Sequence, residues 1–108
     1  MFTPIKVNAS GPAVEDERVP AFIVTKDGED TEYTIPRQIS GATAIQALTV
    51  FANRGESSLV LWLAEHALGV DGMNAVLESQ QLTLAEAKAL LTAIGEQYIG
   101  QVKELGKE

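Results

Sequence analysis

From Leu59 to Leu68 every position is apolar except Glu65 and His66. A helix that apolar must be wrapped by neighbours on most of its sides. A run this short also suits a buried strand, but its leucines, its alanines and its flanking cap residues select helix. Ser57 or Ser58 is placed to cap the first free N–H groups, and Gly69 to close the end in a left-handed turn. This segment, about 57–68, is predicted to be the pillar of the fold, with Trp62 packed in its core.

The pattern on either side predicts three further helices. Over about 41–54, Ser40 is the cap, Ile45, Leu48 and Ala52 or Phe51 line one face, and Gly55 is the stop. The pillar follows at once, so these two helices form a tight antiparallel pair. After Gly69, Asp71 caps a short helix of about 72–79, with Met73, Val76 and Leu77 spaced i, i+3, i+4. The last helix, about 84–99, has the sharpest start: Thr83 and Glu86 form a capping box, with Leu82 and Ala87 as a weak staple. Leu84, Ala87, Leu91, Ile94 and Tyr98 run along one of its faces, and Leu90 widens that stripe. Gly95 weakens it and Gly100 ends it, leaving 101–108 as a loose tail with little to bury.

Ahead of the helices the period changes to two. Phe22 and Val24, then Tyr33 and Ile35, alternate with polar or less buried positions around Asp27-Gly28, which predicts a β-hairpin over 21–35 closed by Pro36. A lone hairpin is marginal in water, so one face must lie on the helices or an edge must pair with another chain. Residues 1–20, with three prolines and the acidic run Glu15-Asp16-Glu17, are predicted to be a flexible arm. Its alternating apolar residues are Phe2, Ile5 and Val7, a short strand at most. The fold class is therefore mainly α: one globular domain over 21–100, a bundle of about four helices preceded by a β-hairpin and the arm.

Composition narrows what such a domain does. At 108 residues and 45% hydrophobic it closes a modest core without staples, and with no cysteine it has neither disulfides nor thiolate metal sites. The longest apolar stretch falls far short of a membrane span, and no secretory leader or membrane partner is expected. The net charge of −7 is dispersed, −4 over residues 1–36 and −3 over 37–108. Nucleic-acid affinity comes mainly from neutralising phosphates, so no nucleic-acid partner is expected. The acidity instead favours solubility or a basic protein partner.

Candidate chemistry is sparse. His66 is the one histidine, and no Ser, Cys or second His is arranged around it. Asp27, Glu29, Asp30 and Glu32 crowd the hairpin turn without the spacing or terminal glutamate of a calcium loop. No glycine-rich phosphate loop occurs, and no cofactor, metal or catalytic residue is expected. One surface is a candidate for a partner. Leu90, Leu91, Ile94, Tyr98, Ile99 and Val102 cover more than one face of the last helix, which is wide for an edge helix. Part of that stripe is expected to bind a partner groove or a second copy.

The order of parts carries a resemblance over roughly residues 20–100. A hairpin ends in Tyr33-Thr34-Ile35-Pro36, and Gly55-Glu56-Ser57-Ser58-Leu59 leads into the apolar helix. Gly69-Val70-Asp71-Gly72-Met73 follows, and Leu82-Thr83-Leu84-Ala85-Glu86 opens the final helix. This resembles the tail assembly chaperones of long-tailed bacteriophages, particularly those of actinobacteria. The resemblance implies a non-enzymatic protein of the infected host's cytoplasm, absent from the mature virion. It implies binding to the tape measure protein, which is kept soluble while tail tube subunits polymerise around it. It further implies a longer, frameshifted form that recruits tail tube protein, and self-association. The alternative reading is a structural head–tail connector or tail completion subunit, which forms a ring.

Overall fold

The computed structural model describes residues 3–7 and 10–106. Phe2 of the expected arm and Lys107 and Glu108 of the expected tail lie outside the described residues. After a single 3-10 turn at Val14–Asp16, the elements are strands β1 (Arg18–Lys26) and β2 (Glu29–Pro36) and helices α1 (Gly41–Arg54), α2 (Glu56–Glu78) and α3 (Leu84–Leu105).

The hairpin forms where its turn residues permit. Asp27 and Gly28 both hold positive φ, 54° and 79°, the two left-handed residues of a type I′ turn whose twist matches that of paired strands. Lys26 therefore faces Glu29, and the register runs back to Arg18 opposite Pro36, interrupted by a bulge between Pro20 and Phe22. Phe22 and Tyr33 stack across the strands at 5.0 Å between ring centroids. Both strands are longer than the predicted 21–35, because the Arg18 guanidinium donates to the Thr34 carbonyl at 2.6 Å and holds the open end.

Among the described residues three α-helices follow, not four. The predicted second and third helices run on as α2, kinked where Gly69 alone leaves helical geometry at φ 70°, ψ −174°. No loop intervenes because Leu68, Gly72 and Ala75, on both sides of the kink, all seat in the core. Residues 101–105, expected to be loose, continue α3. Val102 is 1% exposed, and the Gln101 side-chain oxygen accepts from the Ile39 N–H at 3.0 Å. The Thr83–Glu86 capping box forms as expected, both reciprocal hydrogen bonds being 3.1 Å. Ser40 caps α1 as expected by accepting from the Thr43 N–H. Neither Ser57 nor Ser58 caps α2. Gly55, at φ 89°, both ends α1 and supplies the carbonyl that accepts the Leu59 N–H.

α2 is the central element: it packs against α1, α3 and β2. The core gathers Leu59, Leu63, Ala64, Ala67 and Leu68 of α2 with Ala44 and Ala47 of α1, Ile94, Tyr98 and Val102 of α3, and Ile35 and Ile39 ahead of α1. Trp62, expected inside, is only half-buried at the margin of this core. The α1 face is also rotated from expectation. Thr43, Ala44 and Ala47 are buried, whereas Ile45 is 60% exposed and Phe51 37%. Small residues let α1 approach α2 closely, and that turns the larger ones outward. The molecule is flat and long, 62 × 33 × 17 Å, with a radius of gyration of 16.1 Å, against about 13 Å for a compact chain of this length.

Candidate functional site

The densest polar cluster lies where the expected arm meets the helices. Glu15, in the 3-10 turn, reaches the N-terminus of α1. Its Oε2 accepts from the Ser40 N–H at 2.8 Å and from the Thr43 hydroxyl at 2.7 Å. Its Oε1 accepts from His66 Nε2 of α2 at 2.8 Å. A helix N-terminus presents unpaired N–H groups and favours an anion, so Glu15 acts as an anionic cap supplied from a distant segment. The arm is therefore not loose throughout: residues 14–17 are held, and the Arg37 N–H donates to the Glu17 carbonyl at 2.8 Å.

Burial by itself pushes the Glu15 carboxyl up. The Ser40 N–H, the Thr43 hydroxyl and His66 together outweigh it and bring the group from its ordinary 4.5 to about 2. An ionised carboxylate only accepts, so His66 Nε2 carries the proton between them. The His66 ring lies parallel to Trp62 at 5.5 Å, which fixes its orientation from the other side.

Thr43, His66 and Glu15 are the residue types of a nucleophile, a base and an acid, but their connections do not make a catalytic relay. The Thr43 proton goes to Glu15 and not to histidine, and His66 uses the same nitrogen towards Glu15 and, at 3.2 Å, towards Thr43. A working relay needs one ring nitrogen for the nucleophile and the other for the carboxylate. Thr43 is also only 6% exposed. The cluster is a clasp that ties the N-terminal segment to α1 and α2. Sequence patterning missed it because Glu15 lies 25, 28 and 51 residues from its partners, within an acidic run that reads as solvated.

Glu15→Gln is expected to cost about 2 kcal/mol at neutral pH, the range for hydrogen bonds to a charged group. Glu15 has a depressed pKa in the fold, so its contribution is full above the unfolded value of 4.5 and is lost as pH falls towards about 2. Urea unfolding of both proteins across that window checks this: the gap between them should close with acid, and an unchanged gap would remove the clasp.

The partner stripe predicted on the last helix is divided by the fold. Ile94, Tyr98 and Val102 are 4%, 0% and 1% exposed and form core, because the whole of α3 lies across α2 rather than at an edge of the bundle. Leu90, Leu91 and Ile99 are half-buried against the same core. Of the six, three are closed off in the core and three are only partly covered. Large apolar side chains are exposed elsewhere, with Val70 at 78%, Leu77 at 70% and Leu84 at 87%. The spacing predicts apolar faces that include Leu77 and Leu84; the kink at Gly69 and the turn before α3 direct both outward instead.

Val70 and Leu77 are two turns apart on one side of α2, flanking the half-buried Met73. Beside them, Glu65, His66, Gly69, Val70, Met73 and Asn74 line a shallow depression where the missing Gly69 side chain opens the helix surface. Val70 and Leu77 are among the most exposed large apolar side chains on the helices. Their signal in the sequence was weak, since Val70 sits inside a Gly-Val-Asp-Gly stretch that reads as a turn.

Among the described residues no group of three or more His, Cys, Asp or Glu is arranged to hold a metal, and no helix is long and apolar enough to cross a membrane. No protein-family model, no curated protein and no solved structure matches the chain.

Proposed function

We propose that this chain is a non-enzymatic tail assembly chaperone of a long-tailed bacteriophage. In this reading it binds the tape measure protein in the host cytoplasm and keeps it soluble until tail tube subunits enclose it. The observation that carries this is the exposed apolar pair Val70 and Leu77, two turns apart on one side of α2, together with the exposed Leu84 at the start of α3. A long helical client presents apolar side chains at i, i+3, i+4 and i+7, which suit a helix lying along such a pair. Three exposed side chains supply modest affinity, and coating a long filament needs only that, because neighbouring sites on one client raise the effective concentration. The dispersed net charge of −7 keeps a coated client in solution. A longer frameshifted form recruiting tail tube protein belongs to the same reading.

The test is co-expression with the long helical protein encoded downstream, followed by size-exclusion chromatography with light scattering. The client should stay soluble and co-elute with many copies of this chain. Val70→Glu/Leu77→Glu is expected to lower co-elution about tenfold or more, since each charge must be desolvated against an apolar client. Its melting temperature should stay within a few degrees, because both sites are exposed. A client that precipitates while this chain runs as a closed ring would instead identify a head–tail connector.

A further inference from the structure

The two-stranded sheet is unfinished. Among the described residues no third strand joins it, and β2 is the strand that lies against α2, which leaves β1 outermost with an open edge. Such an edge presents unpaired N–H and C=O groups and is a template for another strand. Pro20 and the bulge that follows it spoil the Arg18–Ala21 half of that edge. Five residues remain, Phe22–Lys26.

The two faces of that half-strand differ. Phe22 and Val24 are half-buried on the side of Tyr33. Ile23, 60% exposed, and Thr25 face away, opposite Glu32 and Asp30. A complementary strand must therefore alternate apolar and basic residues. Thr3–Val7 does so. Ile5 and Val7 are 75% and 81% exposed, with Lys6 between them, and the segment is held in no helix or strand of its own chain. Placed beside β1, Ile5 and Val7 extend the row of Phe22 and Val24, and Lys6 meets the face that carries Glu32 and Asp30. Pro4 alternates with Ile5, so its missing N–H points to the far side, where no donor is needed.

We infer that Thr3–Val7 of one copy adds as a third strand to the β1 edge of a second copy. The bonded surfaces differ, so the contact is heterologous and can propagate from copy to copy. This deepens the self-association within the proposed function, and it is tested on the chain alone, so its failure leaves binding to the tape measure protein untouched.

Sedimentation velocity over a concentration series should show the mass of the native chain rising with concentration. Ile5→Asp/Val7→Asp should weaken that association about tenfold or more, each charge being buried against apolar side chains, at an unchanged melting temperature. The absence of native cysteine permits a second measurement. Lys6→Cys mixed with Ile23→Cys or with Thr25→Cys should form a disulfide between chains, one pair or the other according to strand direction. A native chain that stays monomeric throughout, or an arm variant that associates as well as the native chain, would overturn the inference.

Discussion

Gly95→Ala should destabilise the protein by about 3 kcal/mol, at the upper end of overpacking costs. In an open helix this change does the opposite, because Ala is favoured over Gly by about 1 kcal/mol. Gly95 is not in the open. A Cβ at that position would lie 2.3 Å from the Val60 carbonyl oxygen and 2.7 Å from Val60 Cγ1. The first is backbone of α2 and cannot rotate aside, so the two helices must separate around their crossing and Ile94 and Tyr98 must lose contacts with α2. For a chain of this size about 3 kcal/mol lowers the melting temperature by roughly 15 °C. Gly100→Ala is the internal control. It sits on the same helix with nothing within 4 Å of its added Cβ, and it should gain a few tenths to about 1 kcal/mol. Thermal melts of both variants check the pair. If Gly95→Ala also stabilises, α2 and α3 do not cross where the structure has them.

The second large effect lies one turn further along α3. Tyr98 is fully buried, and its hydroxyl donates to the Pro36 carbonyl at 2.5 Å. This joins the last helix to the end of the hairpin. Tyr98→Ala removes the ring and leaves a cavity, at a cost of about 4 kcal/mol, which is a large part of the 5–15 kcal/mol that holds a typical domain together. Tyr98→Phe keeps the ring but strands a buried carbonyl, and should cost about 1–2 kcal/mol. Burial pushes the phenol up to about 12; the Arg18 charge, which lowers it, and the Glu15 charge, which raises it, are smaller influences. A raised pKa means that this group's stabilisation is whole below pH 10 and is lost as pH rises from 10 towards 12. Denaturant titrations in that window should show a steeper loss for the native chain than for Tyr98→Phe. Equal slopes would place the Tyr98 hydroxyl in water.

Both residues show where sequence patterning stops. Gly95 read as a weak point in a helix, and Tyr98 as a candidate for a partner. Each is a close contact between elements far apart in the chain, and nothing within a few residues of either records what lies opposite. The features that were legible are local ones. Asp27-Gly28 specifies its turn because few other residues tolerate two successive positive φ values. Thr83 and Glu86 specify a helix start because their hydrogen bonds close within three residues. The apolar run at 59–68 marked the central helix because its leucines and alanines favour helix over a buried strand and a helix apolar on most sides must be wrapped by others.

The boundary between local and tertiary control runs through Gly69. By itself the chain determined that helical geometry breaks there, since a glycine ahead of Val70 and Asp71 suits a left-handed residue. Whether the break becomes a loop or a kink depends on whether Leu68, Gly72 and Ala75 find one core or two, and only packing settles that. The apolar surface divides in the same way. The sequence determined that the last helix carries a broad stripe and that the segment 59–68 is apolar on most sides. The tertiary structure decided that Ile94, Tyr98 and Val102 are core while Val70, Leu77 and Leu84 face solvent. It likewise took Glu15 out of an acidic run and made it the cap of a helix beginning 26 residues later. The physical reason is common to all three. Periodicity says that a face is apolar and capping says where a helix begins, but the free energy of burying a group depends on what the rest of the chain brings against it.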